Sequence, residues 1–344
     1  MNKFMSWLED SFVPKANKLF SRPFIAAFSS TMQKIIPFIL TGSVIYFYNV
    51  IKSFVPVLPD LGPILTYSFG IITVIVAFMM GNQLMEKLGH PDYVINAGLC
   101  AVGTLLMVAM PLGDNADSIS TLMGNLGAAG IAVGLIVGLY VGTIFHLWGK
   151  LHFLQDSSCP DFVTAWINTI VPNLITLGIA MVLVNVLKLD VYSLVIAAFM
   201  PLANIGQTLP GFILICLIPA FFYTLGISSW TFGAVTTPIF MAGIQANIDA
   251  VAAGGVATNI VTSESVFTMA FITMGGMCAT LGLNALMCFS KSKQLKTLGR
   301  VFIIPSIFNI NEPIMYGGKV VMNPVLMIPA WLNSIGLTDT LVTS

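Results

Sequence analysis

"LGAAGIAVGLIVGLYVGTIFHL", Leu126–Leu147, carries no Asp, Glu, Lys or Arg anywhere along its length. A helix crossing the hydrocarbon core of a bilayer needs about 20 mostly apolar residues, and this stretch supplies them. It is not an isolated case. The 344-residue chain is 57% hydrophobic and 8% charged, with a mean hydropathy of +0.93, whereas soluble domains carry about 25% charged residues. Too little polar side chain is available to clothe an apolar body in water. Backbone groups in lipid must be paired within the protein, and long unbroken apolar runs do this as helices rather than as barrel strands of alternating character.

Runs of the same kind predict spans at Phe24–Val50, Ile64–Leu84, Ala97–Pro111, Val163–Leu187, Leu209–Leu225 and Val266–Phe289. Four more, Val191–Ala203, Trp230–Ala246, Val301–Met315 and Val321–Leu337, are short or interrupted by Pro, Gly and Asn. Such segments survive at membrane depth where protein or a wet cavity surrounds them, and in transporters they mark binding sites. The expected fold is therefore an all-α polytopic membrane protein. It has roughly seven or eight full spans and re-entrant or broken helices in its C-terminal half. The divisions are an N-terminal interfacial helix (1–22), scaffold and dimerisation spans (23–190) and a substrate-binding half (191–344). The first of these places Phe4, Trp7, Leu8 and Phe12 at helical spacing among Lys3, Lys15, Lys18 and Arg22, a pattern for lying on the inner leaflet. Basic residues favour the cytoplasmic side, which puts the N-terminus and "SKSKQLKTLGR" (Ser290–Arg300) inside, and the acidic loop with Asp114 and Asp117 outside.

Function is sought where polar groups stand without a structural reason. "SIFNINEPIMYGG", Ser306–Gly318, sets Asn309, Asn311 and Glu312 beside a proline and a glycine pair, between apolar flanks. A carboxylate at membrane depth is costly and faces a cavity or partner. Two amides and a carboxylate both donate and accept, which is the chemistry of sugar hydroxyls; a polar surface turn is the alternative. "LGISSW" offers Ser228 and Ser229 as small donors and acceptors and Trp230 as a stacking surface, or else a helix-end serine pair with an interfacial Trp. Asn247 and Glu264 complete the candidates, each also readable as a residue at a helix end.

Other chemistry is not indicated. The scattered Cys100, Cys159, Cys216, Cys278 and Cys288 form no CxxC, and His90, His146 and His152 have no metal-ligand spacing, so no metal or other cofactor is expected. No nucleotide-binding loop or nucleophile elbow is present. A net charge of zero argues against nucleic acid.

"FSKSKQLKTLGRVFIIPSIFNINEPIMYG" (Phe289–Gly317) resembles the motif region of the enzyme IIC permeases of the lactose/cellobiose/diacetylchitobiose family, from the bacterial sugar phosphotransferase system. "MNPVLMIP", "GAAGI" and "NKLFSRPFIAAFSSTMQKIIPFILTGS" extend the likeness over essentially the whole chain. The resemblance implies a homodimer in the bacterial cytoplasmic membrane that imports a β-linked disaccharide such as cellobiose. Phospho-IIB, charged by IIA upstream, phosphorylates the sugar at its 6-hydroxyl. It implies that Glu312 contacts that hydroxyl, that Asn309 and Asn311 match the motif's asparagines, and that no cysteine of this chain carries phosphate. Ser228 stands where some members have a histidine. The family continues past the motif with further spans, so the ending "AWLNSIGLTDTLVTS" implies a C-terminally shortened member. The rival readings are an ion-coupled secondary sugar transporter and an inactive permease.

Overall fold

A computed structural model describes residues 2–55, 57–110, 118–151, 160–227, 229–262, 265, 272–307 and 309–343. They form helices and turns, with no strand among them. The chain divides into two compact units, Pro23–Met200 and a second made of Met1–Arg22 with Pro201–Ser344.

The N-terminal arm comprises α1 (Asn2–Trp7), a π turn at Leu8–Phe12 and α2 (Val13–Phe20). Leu8 is fully buried in a cluster with Leu225 and Met327, and Phe12 and Phe20 pack on Phe222. Lys3, Lys15, Lys18 and Arg22 stay exposed, as does Trp7.

The Pro23–Met200 unit holds α3 (Pro23–Phe54), α4 (Gly62–Tyr67), α5 (Ile72–Lys87), α6 (Val94–Ala109), α7 (Ser118–Leu126), α8 (Ile131–Gly149), α9 (Asp161–Met181) and the start of α10 (Val191–Gly206). Gly62–Lys87, Pro91–Ala109, Ile131–Gly149 and Val163–Val186 are long and apolar enough to cross a membrane, by length and composition. α5 lies at the centre: Ile72, Val76, Ala77, Met80 and Leu84 are all fully buried.

The glycines of α8 explain how close the packing is. A Cβ on Gly134 would stand 2.8 Å from the Thr73 carbonyl, one on Gly138 2.7 Å from the Ala77 carbonyl, and one on Gly142 2.7 Å from Leu84 Cδ2. Spaced four apart, the three make one groove for α5. Small residues admit close backbone approach where lipid supplies no hydrophobic drive between helices. α9 differs: only 22% of its apolar window is buried, against 56% for α8, and Trp166, Ile170 and Leu174 point outward.

The other unit is less regular. The chain turns by 96° between α10 and α11 (Leu209–Thr224), where Thr208 caps α11 through Gly211 N–H and Pro210 sits in its first turn. α12 (Gly233–Ala252) leads to an extended segment. There the Asn247 amide pairs with the backbone N–H and C=O of Asn259, and the Gln207 amide with those of Val261. α13 (Leu281–Cys288), α14 (Lys293–Ile307) and α15 (Pro324–Thr343) follow.

One expectation fails here. Val266–Phe289 reads as a single span, yet among its described residues 272–280 are turns and a bend, and helix is confined to Leu281–Cys288. Gly275, Gly276, Cys278 and Ala279 all have positive φ, which a helix does not accommodate. The basic "KQLKTLGR" forms the start of α14.

Candidate functional site

α14 ends in a Schellman motif. Asn309 N–H donates to the Ser306 carbonyl and Ile310 N–H to the Pro305 carbonyl, both at 3.0 Å. Asn309 takes φ 60°, the left-handed position that Asn tolerates better than most residues. Its Oδ1 accepts the Gly275 N–H at 2.9 Å.

Two residues on, Asn311 is 3% exposed. Its Nδ2 donates to the Met277 carbonyl (2.7 Å) and to Thr280 Oγ1 (2.9 Å), and its Oδ1 accepts from the Tyr223 hydroxyl (3.1 Å). A side chain at Gly276 would collide with this amide. Thr280 Oγ1 donates to the Gly275 carbonyl at 2.8 Å. Backbone groups that the broken helix at 272–280 cannot pair with itself are thus supplied by the amides of Asn309 and Asn311. A buried unpaired group costs about 1–3 kcal/mol, which is why the turn needs them.

Glu312 follows immediately and is half-buried. It precedes a single π turn, Pro313–Gly317, that Pro313 opens. Met315 N–H donates to the Asn311 carbonyl at 2.9 Å, and Gly317 lies against the ring of Phe302, where a Cβ would be 2.7 Å from Cζ. The rings of Tyr223 and Tyr316 meet edge-on at 6.4 Å.

The second cluster is attached to the same place. Tyr223 and Thr224 end α11, and Gly226, at φ 85°, closes it with a further Schellman motif. The chain enters the Ser229–Phe232 turn directly afterwards. Met322 N–H donates to the Thr224 carbonyl, and Trp331 Nε1 to Thr224 Oγ1, both at 2.9 Å.

Among the residues singled out from sequence, Asn309, Asn311 and Glu312 sit in this assembly, and Ser229 lies in the turn that follows α11. The Asn247 amide is engaged with Asn259 instead. Ser228 and Glu264 lie outside the described residues, as does the Trp230 side chain. Sequence reasoning did not single out Tyr223, Thr280 or the Gly275–Gly276 pair. The pair, set in an apolar run, was the available signal. Among the described residues no group of three or more His, Cys, Asp or Glu is placed to hold a metal ion.

Helices long and apolar enough to cross a membrane in one unit, and a half-buried carboxylate at a helix break in the other, are the features of a polytopic membrane protein with polar groups at its broken segments. The family model for "Phosphotransferase system, EIIC" matches residues 24–334, and the chain belongs to this family of sugar permeases. It is similar to the putative permease IIC component YwbA of Bacillus subtilis, 26% identical over 96% of this chain and 80% of that protein. It is also similar to the cellobiose-specific EIIC component of Geobacillus stearothermophilus, 24% identical over 95% and 78%. The crystal structure of ChbC, the IIC component of the N,N'-diacetylchitobiose-specific phosphotransferase system, shares the fold. The TM-score is 0.80 over 98% of this chain and 84% of that one, at 24% identity.

Proposed function

We propose that the chain imports a β-linked disaccharide, cellobiose first among the candidates, and presents its 6-hydroxyl to a separate phospho-IIB. Relatives named for lichenan, oligo-beta-mannoside, cellobiose and lactose support a saccharide substrate. The observation that carries the site is the setting of Glu312. Asn309 Oδ1 and the Asn311 amide are engaged with backbone and side-chain groups of the protein itself, so the carboxylate is carried on a fixed frame. Fixed geometry of this kind is what a proton acceptor or orienting group requires.

In the proposed step the sugar 6-hydroxyl oxygen attacks the phosphorus of the phosphocysteine on IIB. The new P–O bond forms as the P–S bond breaks, cysteine leaves as thiolate, and the hydroxyl proton passes to Glu312. Ser228, Ser229 and Trp230 hold the rest of the sugar. Asn309 and Asn311 act by holding the turn that positions Glu312. The N-terminus faces the cytoplasm, and the Pro23–Met200 unit carries the lipid-facing and homodimer surfaces.

The test is uptake of radiolabelled cellobiose into vesicles holding the purified chain, with and without phospho-IIB inside. Arrival as the 6-phosphate only with phospho-IIB supports the reading. Free sugar arriving on a proton gradient alone overturns it in favour of the ion-coupled transporter. Glu312→Gln should lower the phosphorylation rate at least about 100-fold, and an unchanged rate removes the base role.

A further inference from the structure

The Glu312 turn and the end of α11 lie far apart in sequence and meet at a buried hydrogen bond. The Tyr223 hydroxyl donates to Asn311 Oδ1 at 3.1 Å, across 88 residues. Tyr223 is 2% exposed and Asn311 3%. On one side Tyr223 lies at the end of α11, three residues before Gly226, whose positive φ precedes the Ser229–Phe232 turn. On the other, Asn311 adjoins Glu312, and its Nδ2 grips the 272–280 turn through Met277 and Thr280. The Tyr223 ring reaches further: it packs in one cluster with Met287, Ile314, Met315 and Val320. The aromatic body is therefore explained by packing, and the hydroxyl is what needs a reason. Phe would fill the same space and leave Asn311 Oδ1 without this donor.

Resting on the site reading above, we infer that Tyr223, with Thr280, is a positioning residue that acts through Asn311 to set the Glu312 cluster against the Ser229–Phe232 turn. A substrate spanning both feels any change in their spacing, whereas a ligand touching one does not. The consequence is specificity for length: Tyr223 matters for a disaccharide more than for a monosaccharide.

The experiment measures binding of cellobiose and of glucose to the purified full chain in nanodiscs, for wild type, Tyr223→Phe, Thr280→Val and Glu312→Gln. Loss of one buried hydrogen bond is worth about tenfold in an equilibrium. Tyr223→Phe and Thr280→Val should each weaken cellobiose about tenfold, with glucose changed less than about twofold and the thermal midpoint within about 3 °C of wild type. A double variant of Tyr223→Phe with Thr280→Val should bind cellobiose more tightly than the product of the single losses, because both act through one amide. Equal losses for cellobiose and glucose, or a fully additive double variant, overturn the inference. If Glu312→Gln weakens cellobiose while Tyr223→Phe does not, the site reading stands and this inference falls. If neither weakens it, the site reading itself fails and takes the inference with it. Where Thr280→Val does not fold, Thr280→Ser, which keeps the hydroxyl, should restore wild-type cellobiose binding; failure to do so counts against the network.

Discussion

The two units meet the same demand with different emphasis. Main-chain polar groups in apolar surroundings must all be paired. In the Pro23–Met200 unit α5, α6 and α8 pair most of their own, the amides of Asn82 and Asn125 serve carbonyls at the two ends of α6, and glycines let the finished helices approach. In the other unit the helices break at 207–208, 272–280 and 309, and side-chain amides complete what the backbone leaves open. Gln207, Asn247, Asn309 and Asn311 all serve main-chain groups. A regular helix spreads its stability over many equivalent bonds. A broken one concentrates it in a few side chains, and that concentration lets it hold a carboxylate at a chosen point. The proposed site lies where the backbone is least regular.

The largest effect is expected at Asn311. Asn311→Leu keeps a buried side chain of similar size but strands the Tyr223 hydroxyl and the Met277 carbonyl and removes one of the two hydrogen bonds at Thr280 Oγ1. At about 1–3 kcal/mol per buried unpaired group the loss should reach about 3 kcal/mol or more. Thermal unfolding in nanodiscs reads it directly. If Asn311→Leu melts no lower than Gly138→Ala, stability is not concentrated in the amides and the contrast between the units fails.

Gly138→Ala comes next. The added methyl would stand 2.5 Å from Met80 Cβ, and overpacking of this sort costs about 1–3 kcal/mol. Gly178 on α9 sharpens the point, because nothing lies within 4 Å of a Cβ placed there. Gly178→Ala should raise stability by about 0.5–1 kcal/mol, the helix-interior penalty of glycine. The same substitution in two helices should thus change stability with opposite signs. Equal signs would mean that the α8 glycines are not there for close approach.

The same contrast decides how much is legible in sequence. The apolar runs of α5, α6, α8 and α9 announce membrane helices because the requirement is local: enough apolar residues in a row. Family membership is equally legible, since "FNINEP" and its basic lead-in form a contiguous string. The break at 272–280 is not. Met274–Thr280 is as apolar as a span, and its departure from helix depends on Asn309 and Asn311, some 34 residues later. Nor can the sequence say whether an amide faces a ligand or a carbonyl. That depends on which groups the rest of the fold leaves unpaired, and Tyr223, the partner of Asn311, is 88 residues away.

The smallest effects come from one chemical act performed in two settings. Asp60 Oδ1 accepts the Gly62 N–H at 3.1 Å in an exposed loop, and Asn309 Oδ1 accepts the Gly275 N–H at 2.9 Å in a half-buried turn. Glycine at 309 keeps the left-handed conformation without strain, so Asn309→Gly isolates the lost acceptor and should cost about 1 kcal/mol. At Asp60 water can replace the carboxylate, and Asp60→Ala should lower the melting temperature at neutral pH by less than Asn309→Gly does. The Gly62 N–H, and after it Lys52, hold the Asp60 carboxyl below its ordinary value. A group depressed in the folded state contributes above its unfolded pKa, about 3.9, and loses that contribution as pH falls through the lower folded value. Any difference between wild type and Asp60→Ala should therefore shrink only in the acid range below that point. A clear loss at neutral pH for Asp60→Ala, as large as that for Asn309→Gly, would mean that burial is not what gives the amides of the broken unit their weight.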